Sequence, residues 1–137
     1  LSDKSIERRF MSSRKDMPHE RLQNFVIIDY TKEIVLVVVR GEEENQYIAA
    51  VGQYGIDENT HTAEVAFAVR DDQQNSGIGF ALLQYLTYLA KRQGLLGFTA
   101  EVLVENKPML HVFEKGGFDM KKKIDSGVYE LSLKFKV

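Results

Sequence analysis

The period of the hydrophobic positions changes along the chain. Residues 33–41 (EIVLVVVRG) form a β-branched run, and residues 45–55 (NQYIAAVGQYG) are mostly apolar. The short acidic turn between them predicts an antiparallel hairpin. Residues 60–71 (THTAEVAFAVRD) alternate and predict a third strand. The period then lengthens: Ile78, Leu82, Tyr85, Leu86 and Leu89 recur at helical spacing, Lys91 and Arg92 suit a last turn, and Gly94 ends it. Residues 96–105 predict a strand and 108–115 a short helix stopped by Gly116 and Gly117. Residues 118–124 and 128–137 predict a closing hairpin around Ser126 and Gly127. Near the N-terminus Ile6, Phe10 and Met11 stand at helical spacing within residues 2–13, and Pro18 opens a second short helix through residue 25. The expected order is ααβββαβαββ.

With 137 residues, 44% of them hydrophobic, this pattern belongs to one domain with a sizeable core. A net charge of −2 gives no general attraction for nucleic acid or an anionic membrane, so an anion site must be built locally. The chain has no cysteine, which excludes a disulfide, a thiolate metal site and a cysteine nucleophile. That fits a reducing compartment, and a cytoplasmic location is expected. The longest apolar run, residues 34–39, is too short to span a bilayer, so no membrane partner is expected. Residues 1–15 are charged throughout, unlike a signal peptide, and a start at Leu1 suggests a segment of a longer chain. His19, His61 and His111 share no metal-ligand spacing, so no metal is expected.

Local anion chemistry is offered by residues 73–86, QQNSGIGFALLQYL, where Gly77 and Gly79 precede a helical run. A helix start presents unpaired N–H groups and a partial positive charge, and glycines have no Cβ to hold a bulky ligand away. This combination binds phosphate or pyrophosphate. The alternative is a tight turn that uses glycine for backbone reasons alone. The pattern is neither a P-loop, because no lysine follows, nor a full dinucleotide fingerprint.

With its flanks, AEVAFAVRDDQQNSGIGFALLQYL resembles the cofactor-binding core of the GNAT acetyltransferase superfamily, and Gln74, Gly77 and Gly79 fill that family's Q/R-x-x-G-x-G/A motif. LVENKPMLHVFEKGGF, residues 103–118, resembles the family's second block, with Asn106 at the end of its fifth strand. Residues 9–39 are similar to GNAT domains of protein lysine acetyltransferases fused to, or acting on, acyl-CoA synthetases. The resemblance implies an α+β fold of the α/β-type GNAT kind, with a mixed, mostly antiparallel central sheet and flanking helices. It covers residues 1–137 as a single GNAT domain lacking the usual first strand. It places acetyl-CoA between the strand ending at Val69 and the strand ending at Glu105. Backbone groups of Phe67, Ala68 and Val69 would bond the pantetheine arm; Gln74, Asn75, Ser76, Gly77, Ile78, Gly79 and Phe80 would form the phosphate cradle. Asn106 would face the pantetheine or the thiol, or cap the helix that follows, or both.

Two positions depart from the family. Ser76 stands where Arg or Lys is usual, removing a charge-assisted phosphate contact. Phe113 stands where many members carry a tyrosine that protonates the departing thiolate, a tyrosine that the lysine acetyltransferase branch it resembles also does without. His111 is read as a surface or packing residue rather than a substitute acid.

Acyl transfer to an amine needs a base, since a lysine amine with a pKa of about 10.4 is mostly protonated at neutral pH. Alternation puts Val65, Phe67 and Val69 on one face of their strand and Glu64, Ala66 and Ala68 on the other. If the second face lines the cleft, the alanines leave room for a thin ligand arm, and partial desolvation would make Glu64 a stronger base. The resemblance aligns Glu64 with the family's general base, and Glu101 ranks second. A solvent-facing Glu64 with no catalytic role is the alternative.

The expected activity is therefore direct acetyl transfer from acetyl-CoA to a primary amine, with a protein lysine as acceptor and an acyl-CoA synthetase as one possible protein partner. An acetyl-CoA sensor without turnover and a small-amine acetyltransferase are the rivals. The oligomeric state is left open.

Overall fold

The computed structural model describes residues 7–12, 24–29, 32–74 and 77–136. Among these, eight strands form one sheet: β1 (Glu7–Ser12), β2 (Asn24–Asp29), β3 (Glu33–Arg40), β4 (Tyr47–Asp57), β5 (Thr62–Val69), β6 (Gly97–Leu103), β7 (Asp119–Asp125) and β8 (Val128–Lys134). Their order across the sheet is β1-β2-β3-β4-β5-β6-β8-β7. Every neighbouring pair is antiparallel except β5 and β6, which run parallel. Helix α1 (Ile78–Arg92) connects these two, and α2 (Lys107–Glu114) follows β6. This is the α+β, mixed and mostly antiparallel architecture that the resemblance implies.

The helical stripe read from the sequence is the face that α1 buries. Ile78, Leu82, Tyr85 and Leu86 are each 2% exposed or less. Burying each such side chain contributes roughly 1.5–3 kcal/mol, so this face outweighs the helix's intrinsic propensity. The helix can lie close on the sheet because Gly52 of β4 has no side chain. A Cβ there would stand 2.9 Å from Leu86 Cδ1. Tyr54, also on β4, is buried beneath the end of α1 and donates its hydroxyl hydrogen to Gln93 Oε1.

The β3–β4 hairpin and the closing β7–β8 hairpin form as expected, the second turning at Ser126 and Gly127, both at positive φ. The N-terminal reading requires correction. Residues 7–12, expected to be helical, form β1 and pair along their length with β2, from Glu7↔Asp29 to Ser12↔Asn24. Asn24 and Phe25, expected to end a second helix, begin β2, whose apolar Phe-Val-Ile-Ile run pairs with β3. Here ladder formation between distant segments overrides the local helical spacing. The remaining residues of the two expected helices, 2–6, 13 and 18–23, lie outside the described residues.

Candidate active site

The site is built where the one parallel pairing stops. β5 and β6 pair only at Thr62↔Gly97, Ala63↔Phe98 and Glu64↔Thr99. Beyond that point β5 stays with β4 as far as Ala50↔Val69, and β6 stays with β8 as far as Leu103↔Val128. The two halves of the sheet therefore part between residues 65–69 and 100–103. A cavity of about 170 Å³ occupies the opening, lined by Ala66 and Phe67 on one side, Glu101 and Val102 on the other, and Asn106 and Phe113 from the segment that follows.

A larger cavity of about 460 Å³ lies beside β5 and the first turn of α1. Phe67, Ala68, Val69, Gln74, Gly77, Gly79, Phe80 and Asn106, all expected at the cofactor, line it together. Asn75 and Ser76 lie outside the described residues. Ile78 is a partial miss: its side chain is 1% exposed and belongs to the core, so only its backbone can face a ligand.

The glycines divide the work expected of them. Gly77 is the N-cap of α1 at φ 87°, a left-handed conformation that ordinary side chains resist, and a Cβ there would meet nothing within 4 Å. Its presence is a backbone requirement. At Gly79 a Cβ would lie 3.5 Å from Val112 Cγ2 and 3.8 Å from Val69 Cγ2, so a methyl fits there with ordinary contacts. That agrees with a motif tolerating G or A at its last position. Among the described residues no side chain caps the start of α1, and its first turn carries no acidic residue, so the helix terminus is suited to an anion.

Asn106 is the N-cap of α2, its Oδ1 accepting from Met109 N at 3.3 Å, and it lines both the opening and the larger cavity. The capping and cavity-facing readings are thus compatible. Phe113 is 2% exposed, packs with its ring centroid 5.6 Å from that of Phe67, and brings no hydroxyl to the opening. His111 lines the larger cavity as an exposed residue of α2.

Lys115 was not anticipated. It follows α2, lines the larger cavity, and its Nζ lies 4.9 Å from the Phe80 ring centroid in the first turn of α1. Among the described lining residues it carries the one permanent positive charge. Its spacing in the sequence gave no sign of this, because packing of α2 against α1 brings it there.

Glu64 stands on the other face of β5. Ala63 and Val65 are buried, whereas Glu64, Ala66 and Ala68 are exposed. The expected alternation therefore holds, but the carboxylate is open to solvent rather than partly desolvated. It borders a recess of about 550 Å³ with Thr99, Glu101, Glu130, Lys121 and Lys123. Glu101 lines both this recess and the opening between the strands, so geometry brings both carboxylates to the same side. Among the described residues no group of His, Cys, Asp and Glu could hold a metal ion, and no helix is long and apolar enough to cross a membrane.

A parted β5–β6 seam above a glycine-started helix is the arrangement expected for a GNAT enzyme, and the Acetyltransferase (GNAT) family model matches residues 4–118. The chain belongs to the GNAT acetyltransferase family. Over 118 residues it is 34% identical to acetyltransferase Pat of Mycolicibacterium smegmatis (strain ATCC 700084 / mc(2)155), an alignment covering 85% of this chain and 34% of that protein. The chain thus spans about a third of that relative's length. It superposes on the GNAT domain of S. lividans PAT with a TM-score of 0.65 and 26% identity, covering 98% of this chain and 70% of that one. It also shares its fold with a spermidine N-acetyltransferase from Vibrio cholerae solved in complex with CoA and spermine, at a TM-score of 0.60 and 18% identity over 76% of this chain and 66% of that one. Family membership and the relatives named acetyltransferase support an acyltransferase reading of this GNAT chain.

Proposed function

We propose that this domain transfers an acetyl group from acetyl-CoA directly to a primary amine, with a protein lysine side chain as acceptor. The observation carrying the proposal is the opening between β5 and β6. It joins a ligand-sized cavity at the start of α1 to a face bearing Glu64 and Glu101. In this reading the pyrophosphate lies at the first turn of α1, near Lys115, and the pantetheine arm follows the edge of β5 along Phe67, Ala68 and Val69. The thioester then reaches the opening beside Asn106.

The acceptor amine approaches from the exposed face. Glu64 takes its proton, directly or through water; freeing an ordinary lysine amine of its proton at pH 7 costs roughly 4–5 kcal/mol. The free amine attacks the thioester carbonyl, the C–N bond forms, the C–S bond breaks, and the nitrogen gives up its second proton to water or to the departing thiolate. Phe113 has no proton to give, so the CoA thiolate leaves as such or takes a proton from water or from that nitrogen. No covalent enzyme intermediate is needed. The chain's likeness to Pat supports a protein acceptor; an acyl-CoA synthetase as one candidate acceptor and a cytoplasmic setting are further parts of the proposal. The domain would be one part of a longer protein.

The test is calorimetric titration with acetyl-CoA, followed by thiol release with a lysine peptide, a polyamine and no acceptor. The proposal predicts binding and release with the peptide. Release only with the polyamine would establish a small-amine enzyme. Binding without release under any condition would establish a sensor.

A further inference from the structure

Arg40, at the end of β3, has a feature that the proposed chemistry does not use. Its Nη1 donates to Gln73 Oε1 at 2.5 Å, while its Nε and Nη2 are buried with no hydrogen-bond partner among the described residues. Leaving such donors unpaired is costly, and an apolar side chain of similar length would fill the volume without that cost. The arginine's distinctive contribution is a charged donor to Gln73.

Gln73 ends the short 3-10 turn Asp71–Gln73 between β5 and α1, and it lines the larger cavity next to Gln74. Its Nε2 donates to the Tyr47 hydroxyl at 3.3 Å. Tyr47 stands opposite Arg40 in the β3–β4 ladder, and its ring centroid lies 4.6 Å from the Arg70 guanidinium carbon. Arg70 in turn pairs with Asp72 at 2.9 Å, and its backbone N–H donates to Ala49 O at 2.9 Å. The Gln73 amide is therefore held from both ends, its oxygen by Arg40 and its nitrogen by Tyr47. This braces the connection leading to the glycine-started helix against β3 and β4.

We propose that Arg40 is a positioning residue for the phosphate cradle. Acting through Gln73, it fixes the turn Asp71–Gln73 and the Gln74 that follows, without touching the cofactor. The proposal rests on the acetyl-CoA reading above. It also accounts for a guanidinium with two nitrogens that have no partner among the described residues: it is retained for its directed bond to Gln73, at some cost to the fold.

The experiment titrates wild type, Arg40→Met, Arg40→Lys, Gln73→Ala and the Arg40→Met/Gln73→Ala double variant with acetyl-CoA. Thermal melting is followed in parallel, and turnover is compared with S-acetylpantetheine, a donor lacking the pyrophosphate. Arg40→Met should weaken acetyl-CoA binding by about threefold to tenfold. Arg40→Lys should recover part of that loss, and the double variant should be no worse than Gln73→Ala alone. The melting temperature should hold within about 4 °C of wild type, because removing unpaired buried donors offsets the lost bond. Activity with S-acetylpantetheine should not change in Arg40→Met. Affinity within twofold of wild type in Arg40→Met would overturn the proposal, as would equal losses with both donors. A wild type that fails to bind acetyl-CoA would instead overturn the acetyl-CoA reading, and this proposal with it.

Discussion

The two faces of β5 carry opposite chemistry on one eight-residue strand. One face sets Val65 and Phe67 toward α1 and α2, where Phe67 meets Phe113 and borders the larger cavity. The other carries Glu64, Ala66 and Ala68 exposed, with Glu64 bordering a recess of carboxylates and lysines. Sheet geometry enforces this separation, since neighbouring residues point to opposite sides. Only where β6 leaves β5 can a ligand on one side reach a group on the other. A strand paired along its whole length would keep the two chemistries apart. The parting of the sheet, rather than any single residue, is what lets a cofactor and a base act on one bond.

The sharpest way to break the comparison is Glu64→Gln, which keeps size and packing but cannot accept a proton at neutral pH. Turnover should fall by about 10²- to 10⁴-fold while acetyl-CoA affinity stays nearly constant, because only the exposed face has been changed. Raising the pH toward the acceptor's own pKa of about 10.4 should recover part of the rate by supplying free amine. Wild-type turnover at pH 7 would move the base to Glu101, which also lines the opening.

Next in size is a contrast on the helix side. Gly77→Ala should lower stability by about 1–2 kcal/mol in denaturant unfolding, the cost of a left-handed conformation for an ordinary residue. Gly79→Ala should stay within about 0.5 kcal/mol of wild type or stabilise, since its methyl meets Val112 and Val69 at ordinary distances. Equal losses would show that φ at Gly77 is not what requires the glycine.

The smallest effect belongs to Lys115→Met. Acetyl-CoA should bind about threefold more weakly at low ionic strength, and the difference should fade as salt rises, as for an exposed charge. A difference that persists at high salt would mean that Lys115 acts by packing on Phe80 instead.

Much of this arrangement was legible because it is local. Period 2 placed Glu64 opposite Phe67, period 3.6 placed Ile78 on the stripe it buries, and the glycine pair marked where α1 begins. The features that escaped are set by distant partners. Ile6, Phe10 and Met11 satisfy helical spacing, yet β1 exists because β2 offers it a ladder, and no local pattern announces that pairing. The place where β5 and β6 separate depends on β6 following β8, and Lys115 reaches Phe80 only through the packing of two helices. The exposure of Glu64 was likewise decided by which elements cover its side of the sheet, which alternation alone does not specify.

The central claim is that the cofactor occupies the helix side of the parted strands while the acceptor chemistry belongs to the other face. Amide hydrogen exchange with and without acetyl-CoA tests this most directly. The account predicts slowed exchange at residues 67–69 and 77–80, with residues 128–132 of β8 unchanged. Protection confined to the strands around the Glu64 recess, with residues 67–69 and 77–80 exchanging as before, would contradict it.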